Sequence, residues 1–559
     1  MLTKITSIAA VSLCLGLSAF AGAQTATTIN FGTTYQTIRG FGTSTAWQPV
    51  MPSAMVNGLF GTGAGDVGLT ILRSRIDPSS TTGGSNWATE LANGQEAQAA
   101  NSQVIVFATP WTPPAAWKSN DSTIGGTLNT SDYGAFANYL NEFVAYEKAG
   151  GVNLYAISVQ NEPDFLPGTY ESCSYSGAQM DAFVAQEGGT ISTRLMMPES
   201  DSFNLDESDP TLNDSNAVGH VSIVAGHLYG ASPFYYTNAK NHGKDVWATE
   251  HYLNPANGAS EPAIGDAISL AEELHQSMAV AQYNAYVYWW TPLLVNSNNT
   301  PNYYAYALGQ FSKFVRPGYV MTGANNNPTS GVYVTSYSGS GNYVIVAINS
   351  NSGASSLAFN ISGATLSSMT PYQTNSSGGL IQQGAVGVSG NSFTYTLPGQ
   401  SITTFVGTAS SGGGSGTLSG SYSLEPQNTS GMCLDATGSG GAGTAMQLYS
   451  CSGGTNQSYN FVSQGSGVYE LEPNYNTGLC LDVYGNATSA GTEVDVWTCN
   501  GQSNQKWGVA NVSGNVYTLA PQNATGLRLD VYGNGTTDGT KIDVWTSNGQ
   551  TNQKWALVN

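Results

Sequence analysis

The last quarter of this 559-residue chain is written three times over. The stretches "GMCLDATGSGGAGTAMQLYSCSGGTNQSY", "GLCLDVYGNATSAGTEVDVWTCNGQSNQKW" and "GLRLDVYGNGTTDGTKIDVWTSNGQTNQKW" carry a Leu-Asp pair at Leu434, Leu481 and Leu529, in steps of 47 and 48 residues. So regular a period, with strand-like pieces between Gly and Asn turns, marks a repeat architecture in which no copy buries its apolar face alone. Three copies are too few for a propeller and right for a β barrel of pseudo-threefold symmetry. Just ahead lies "TASSGGGSG" (Thr408–Gly416), a flexible linker by composition. It separates residues 417–559 from a larger N-terminal part.

The repeats resemble the ricin-B-like β-trefoil, carbohydrate-binding module family 13, through their "CLD" and "NQKW" signatures. The resemblance implies one shallow sugar site per lobe, made of an Asp, an aromatic and an Asn. Residue by residue these are Asp435, Tyr449 and Asn456; Asp482, Trp497 and Asn504; and Asp530, Trp545 and Asn552. The chemistry agrees, because a flat ring stacks on the apolar face of a sugar while carboxylate and amide bind its hydroxyls. Trp507 and Trp555 are expected in the core instead. The lobes differ: Tyr459 stands where the others have Trp, and Arg528 and Ser547 replace a cysteine pair.

The N-terminal stretch "MLTKITSIAAVSLCLGLSAFAGA" has one early cation, an apolar run and small residues before Gln24, the pattern of a secretory signal over residues 1–23. An exported chain, extracellular or periplasmic, is therefore expected. Cys14 would leave with the signal, and Cys433, Cys451, Cys480 and Cys499 then read as two disulfides at spacings of 18 and 19. Cys173 is left over, without the basic company of a nucleophilic thiol. A net charge of −20 argues against nucleic acid and anionic membrane surfaces as partners. No later run is long and apolar enough for a spanning helix, and a monomer is expected.

In the larger part, apolar runs alternate with helix-length amphipathic segments. "IRGFGTS", "VGLTILRSRI", "QVIVFATP", "NLYAISVQNEP", "RLMMPES", "SIVAGHLY", "DVWATEHY" and "AYVYWW" are eight candidate strands. Eight strands separated by helices suggest a (β/α)8 TIM barrel over residues 24–320, whose strand C-termini carry the chemistry. Glu162 ends the fourth strand, where Pro163 stops the ladder, and alternation puts Ser158, Gln160 and Glu162 on the inward face with Ile157 and Val159 outward. Glu250 ends the seventh, expected on the same face as Val246 and Ala248. A carboxylate inside an apolar barrel mouth is unfavourable unless used or paired. Two of them facing each other suit glycoside hydrolysis. With five histidines and no paired metal-ligand spacing, no metal and no cofactor are expected.

The motifs "YQTIRGFGTSTAW", "ATPWTPPAAW", "SVQNEPDFLPGTYESC", "AGHLYG", "WATEHY" and "FSKFVRPGY", in this order, resemble glycoside hydrolase family 30, above all its subfamily 8 bacterial xylanases, from about Gln24 to Gly407. The resemblance implies Glu162 as acid/base and Glu250 as nucleophile, with Asn161 bonding the sugar 2-hydroxyl. Trp111, Tyr229 and Trp289 would line the cleft, and Trp290, Tyr252 and His227 complete the expected substrate-binding set; His251 is read as structural. It also implies a β-sandwich side domain over residues 321–407, to which "TTINFGTTYQ" adds a strand. The function implied is an exported retaining endo-β-1,4-xylanase acting on xylan or a related plant cell-wall polysaccharide.

The sequence departs from these relatives at one place. Many subfamily 8 enzymes grip a glucuronosyl branch with an Arg after the eighth strand, where this chain reads "YWWTPLLVNSNNTPNYY" with Thr291, Pro292 and Leu293. Pro255 in "HYLNPANGAS" stands where relatives carry a branch-binding Ser. Independence from glucuronosyl branches is therefore expected. The alternatives are a glucuronoxylan-specific endoxylanase, an exo-acting xylobiohydrolase, a β-1,6-glucanase or β-1,6-galactanase, and, outside enzymes, a carbohydrate-binding adhesin.

Overall fold

Runs such as "VIVFATP" and "DVWATE" are short for helices and too apolar to face water on either side, which leaves strands covered on both faces. Described here from a computed structural model, the chain is placed over residues 25–79, 87–408, 418, 420–465, 467–513 and 515–558. The expected signal segment lies outside these residues, as does the expected linker beyond Thr408. After an N-terminal strand β1 (Thr25–Thr37) come β2 (Gly40–Ser44), β3 (Ile71–Ile76), β4 (Ile105–Pro110), β5 (Leu154–Ser158), β6 (Arg194–Ser200), β7 (Val221–His227), β8 (Asp245–Glu250) and β9 (Ala285–Tyr288). Strands β2 to β9 pair in parallel in chain order, and Gly40–Thr43 close the barrel against Ala285–Tyr288. Ile71, Phe107, Ala156, Met196, Trp247 and Val287 pack along the axis. Their chain neighbours Leu72, Val106, Ile157 and Val246 face the surrounding helices.

Strand β1 does not enter the barrel. It lies antiparallel to Val320–Ala324 and parallel to Ser355–Ser362, as an interior strand of a ten-stranded sheet that takes in the strands up to Thr408. The expected sandwich is thus one continuous sheet curled over its own core, where Phe359, Phe393 and Phe405 meet with ring centroids 4.7 to 5.3 Å apart.

The repeats form a trefoil. Six strands, from Ser421–Pro426 to Trp555–Val558, close a second barrel, and three hairpins cap it. Trp507 and Trp555 are fully buried, and their indole N–H groups donate to the carbonyls of Leu481 (2.9 Å) and Leu529 (3.1 Å). The exception in lobe one is explained by the same bond: the Tyr459 hydroxyl donates to the Leu434 carbonyl at 3.2 Å. Disulfides join Cys433 to Cys451 and Cys480 to Cys499. In lobe three, Arg528 instead donates to the carbonyls of Thr525 and Leu527. Cys173 is buried and free.

Two buried acids lie behind the barrel wall, Glu90 on the helix Ala88–Ala100 and Glu147 on Tyr133–Ala149. Neither Glu147 oxygen has a hydrogen-bond partner among the described residues. Burial pushes its carboxyl up to about 8, with the charge of Glu90 adding to this. Burial likewise pushes Glu90 up to about 7, against the Thr45 hydroxyl that donates to it at 2.8 Å. Both folded values exceed the ordinary 4.5, so the stability gained by holding these carboxyls neutral is whole at acid pH and is lost as pH rises toward 8. At about 1.4 kcal/mol per unit each of the two groups contributes up to a few kcal/mol to that loss. The melting temperature should therefore fall between about pH 5 and pH 8.5, and Glu147→Gln should flatten that slope. Equal slopes in the two proteins would refute the assignment.

Candidate active site

Strand β3 reads "ILRSRI", and its alternation sends Ile71 into the barrel axis and Arg73 toward its mouth. Arg73 is fully buried. One guanidinium nitrogen donates to Glu250 and the other to Asn161 Oδ1 at 2.6 Å, with Glu199 Oε1 3.1 Å away. Its face lies 4.6 Å from the Trp111 ring centroid. His227, at the end of β7, meets Glu162 Oε1 with Nδ1 at 2.9 Å and has Nε2 3.8 Å from Glu199. The Tyr229 hydroxyl donates to Glu250 Oε1 at 2.9 Å. Three carboxyls and two cations thus share one buried cluster. Oxygens of Glu162 and Glu250 and a nitrogen of His227 all lie within 4.8 Å of one another. That triad has the spacing of a metal site, but Arg73 and a charged His227 already neutralise it.

Two expectations about how the acids get there are corrected. Strand β5 ends at Ser158, so Glu162 stands four residues beyond it, at a φ of 46°. Alternation therefore does not place Glu162; backbone N–H bonds from Asn161 to the Pro110 carbonyl (2.8 Å) and from Glu162 to the Glu199 carbonyl (2.9 Å) do. Val246 and Ala248 pack outward against the helices while Trp247 faces the axis, so Glu250 does not share their face. The pairing of β7 with β8 steps from Gly226–Ala248 to His227–Glu250. This bulge skips Thr249 and turns Glu250 inward.

The charges hold one another in place. Burial disfavours the imidazolium of His227, but Glu250, Glu162 and Glu199 outweigh it and lift it to about 10. Burial would raise Glu199, yet Arg73 and then His227 hold it down at about 2. Burial also pushes Glu250 up, against the pull of His227 and Arg73 and with Glu162 adding to the push.

Aromatic side chains wall the cleft. Trp111 is buried; Trp289 and Trp290 are half-buried and stacked on each other, with the Trp290 indole N–H donating to the Ala46 carbonyl at 2.7 Å. Tyr252 is exposed and edge-on to Tyr229 at 5.7 Å. His251 bonds Glu273 at 2.7 Å outside the cluster. Sequence reasoning missed Arg73, Glu199, Trp47 and Tyr170. Trp47 is 42% exposed and lies 4.8 Å from Trp111 and 6.2 Å from Tyr170. The signal for Arg73 was present: an inward Arg on an apolar strand, in a chain with 15 Lys and Arg, needs a partner in the barrel. Beside the cleft, the loops after β8 and β9 enclose a cavity of about 520 Å³ lined by Tyr252, Asn254, Pro255, Glu261, Thr291 and Leu293 among others. No Lys, Arg or His is among its described lining residues.

In the trefoil, Asp435, Asp482 and Asp530 are buried and accept from the amides of Asn456 (2.7 Å), Asn504 (2.8 Å) and Asn552 (2.9 Å). Tyr449, Trp497 and Trp545 stand exposed beside them.

The model of the Glycosyl hydrolase family 30 TIM-barrel domain matches residues 86–249, and that of the Ricin-type beta-trefoil lectin domain matches residues 422–555. The chain is 35% identical over 392 residues to the glucuronoxylanase XynC of Bacillus subtilis, covering 68% of this chain and 91% of that protein. Among solved structures it is similar to the subfamily 8 xylanase Xyn30A of Clostridium acetobutylicum, at 40% identity and a TM-score of 0.65. That match covers 69% of this chain and all of the other. A family 30 endoxylanase of Clostridium papyrosolvens C71 is similar at 40% identity and a TM-score of 0.63, with the same coverage.

The cluster makes one electrostatic prediction. In an NMR titration of the full chain, the His227 ring should stay protonated through neutral pH and lose its proton only near 10. Glu199→Gln should bring that loss down by a unit or more, as expected when one of three nearby anions is removed. A ring that titrates near its ordinary value in the unmodified protein would refute the charge pattern.

Proposed function

The chain belongs to glycoside hydrolase family 30, and from that membership we propose that it is an exported endo-β-1,4-xylanase that retains anomeric configuration. The observation that carries the mechanism is the pair Glu162 and Glu250, with oxygens inside 4.8 Å. Retaining enzymes hold their carboxyls roughly 5–5.5 Å apart, whereas inverting ones need about 6.5–9.5 Å to admit a water. The polysaccharide follows from the relatives, whose names give xylan or glucuronoxylan as substrate.

The cluster's charges support one division of roles. Arg73, His227 and Glu199 together carry one net positive charge, so neutrality leaves one negative charge and one proton to Glu162 and Glu250. Glu250 receives bonds from Arg73 and the Tyr229 hydroxyl, donors that favour its ionised form. Glu162 receives His227 at Oε1, leaving its second oxygen for the proton. Glu250 is then the nucleophile that attacks the anomeric carbon, and Glu162 gives its proton to the departing sugar oxygen. With the glycosyl-enzyme formed, Glu162 takes a proton from water, whose oxygen displaces Glu250. Asn161, whose Oδ1 is held by Arg73, bonds the 2-hydroxyl through its amide N–H. Trp111, Trp289, Trp290 and Tyr252 form the walls along which the xylan chain stacks. In the tail, the exposed Trp497 and Trp545 beside their Asp–Asn pairs hold further xylan. Two disulfides fit an oxidising compartment.

The cavity beside the cleft supports independence from uronate branches. Its lining offers no cation and contains Glu261, so a branch carboxylate there would be desolvated without a partner. Rates on glucuronoxylan and on arabinose-bearing xylan should therefore agree within about tenfold, a difference below roughly 1.4 kcal/mol. A preference of several hundredfold for glucuronoxylan would overturn this reading.

The catalytic assignment has its own measurement. Glu250→Ala should lose at least about 1,000-fold in kcat with polysaccharide binding kept, while Glu162→Ala should keep more of its activity on an aryl xylobioside, whose leaving group needs no proton. NMR of the first product should show the β anomer. An α anomer, or full activity in Glu250→Ala, would refute the mechanism, and digestion of defined xylans to monosaccharide alone would refute the endo mode.

A further inference from the structure

The three trefoil lobes share a frame but not a floor. In each cap hairpin, the buried aspartate faces one residue across the strand pair: Asp435 faces Gln447, Asp482 faces Asp495, and Asp530 faces Asp543. In lobe one, the Gln447 amide donates to Asp435 Oδ1 at 3.0 Å. In the other lobes the facing group is a second carboxyl, buried and directly opposite the first in register. Among the described residues, neither oxygen of Asp543 nor Oδ1 of Asp495 has a donor. Two buried carboxyls face to face repel each other when both are ionised, and a proton held between them turns the repulsion into a hydrogen bond. The donor that the Gln447 amide gives Asp435 in lobe one has no counterpart at the facing position in lobes two and three.

The same two lobes carry a second exposed aromatic that sequence reasoning did not single out. Tyr484 is 61% and Tyr532 57% exposed, where lobe one has Thr437. In lobe three, Tyr532 and Trp545 line a cavity of about 370 Å³ together with Asp530, Asp543, Asn548 and Asn552. Lobe two repeats these residues as Tyr484, Trp497, Asp482, Asp495, Asn500 and Asn504.

We propose that lobes two and three are the xylan-holding lobes, each a slot between a Tyr and a Trp above an aspartate pair that shares one proton, and that they let go of the polysaccharide as that proton is lost. The inference rests on the carbohydrate-binding reading of the tail and extends it to which lobes bind and what governs them. Without its proton the floor carries two negative charges, and their repulsion turns Asp482 or Asp530 out of the orientation in which it accepts sugar hydroxyls. Burial first, then the facing carboxyl, pushes Asp495 up to about 7 and Asp543 up to about 6. Around them, Glu493 lies two residues from Asp495 and is the register partner of Asp543, adding to the repulsion; Lys541 opposes it at Asp543. The strand next to Asp495 contributes neutral Ala445 at its register. The pair floor also disfavours acidic sugars, so the slots take neutral xylosyl chains.

The test is binding of the full chain to insoluble xylan, in a Glu250→Ala background that does not digest it, between about pH 5 and pH 9. Retention should fall at least about tenfold across that range. Asp495→Asn with Asp543→Asn, which supplies the amide of lobe one, should hold retention near its acid value throughout. Trp497→Ala with Trp545→Ala should lose about tenfold at pH 5, and Tyr449→Ala should stay within about twofold. Retention independent of pH, or a Tyr449→Ala loss as large as that of the tryptophan pair, overturns the inference while leaving the xylanase reading in place. Calcium restoring retention at pH 9 would show a cation between the carboxyls and overturn it as well. No retention at any pH, with hydrolysis intact in the unmodified chain, overturns the binding role of the tail itself.

Discussion

Everything at the barrel mouth depends on one buried guanidinium. Arg73 is wholly out of water, where an isolated cation would be several kcal/mol unfavourable. It is tolerated because Glu199 and Glu250 neutralise it, Asn161 accepts from it and Trp111 offers its face. The dependence is mutual, since each acid would be equally unfavourable without the cation. The cluster orders itself: moving one member leaves another charge bare. That is how a mouth assembled from the ends of five strands and their loops acquires the fixed geometry that displacement at a sugar carbon requires.

Arg75, two residues on, extends the same logic outward. It pairs with Asp77 at 3.0 Å and with Glu171, and lies 5.1 Å from the Trp47 ring. Glu171 adjoins Tyr170, which packs on Trp47. A single strand thus supplies both the charge at the centre of the cleft and the anchor for its exposed aromatic rim. The N-terminal strand β1 meanwhile pairs on both edges within the curled sheet before the chain enters the barrel, so sheet and barrel are tied at the chain's first described residues.

The architecture was legible in the sequence because it rests on periodicity: eight apolar runs, three repeats and a turn-rich stretch of alternating strands each have one economical way to bury their faces. The core tryptophans of the trefoil, and the exposed Trp497 and Trp545, followed from their place in the repeat. What periodicity could not give was the local path to the acids. Val159 fits alternation, whereas Asn161 and Glu162 lie past the strand, and Glu250 reaches the mouth by a bulge. Glu199 was hidden inside "RLMMPES", where an acid at a strand end reads as a turn residue until Arg73 is seen beside it.

Those exceptions share a physical form. Glu162 and Glu199 both occupy the left-handed region, at φ of 46° and 54°, where a non-glycine residue is strained by about 1–3 kcal/mol and persists only when its surroundings over-determine it. Here they over-determine each other. The Glu162 N–H donates to the Glu199 carbonyl, and the Glu162 side chain bonds one nitrogen of the imidazole whose other nitrogen faces the Glu199 charge at 3.8 Å. A regular strand would carry these side chains to alternate faces along one line. The left-handed turns break that line and let carboxyls from adjacent strands converge on one histidine. The departure from strand geometry is therefore the means by which a repetitive barrel produces one asymmetric charge cluster, and it explains why the site lies where the sequence pattern stops.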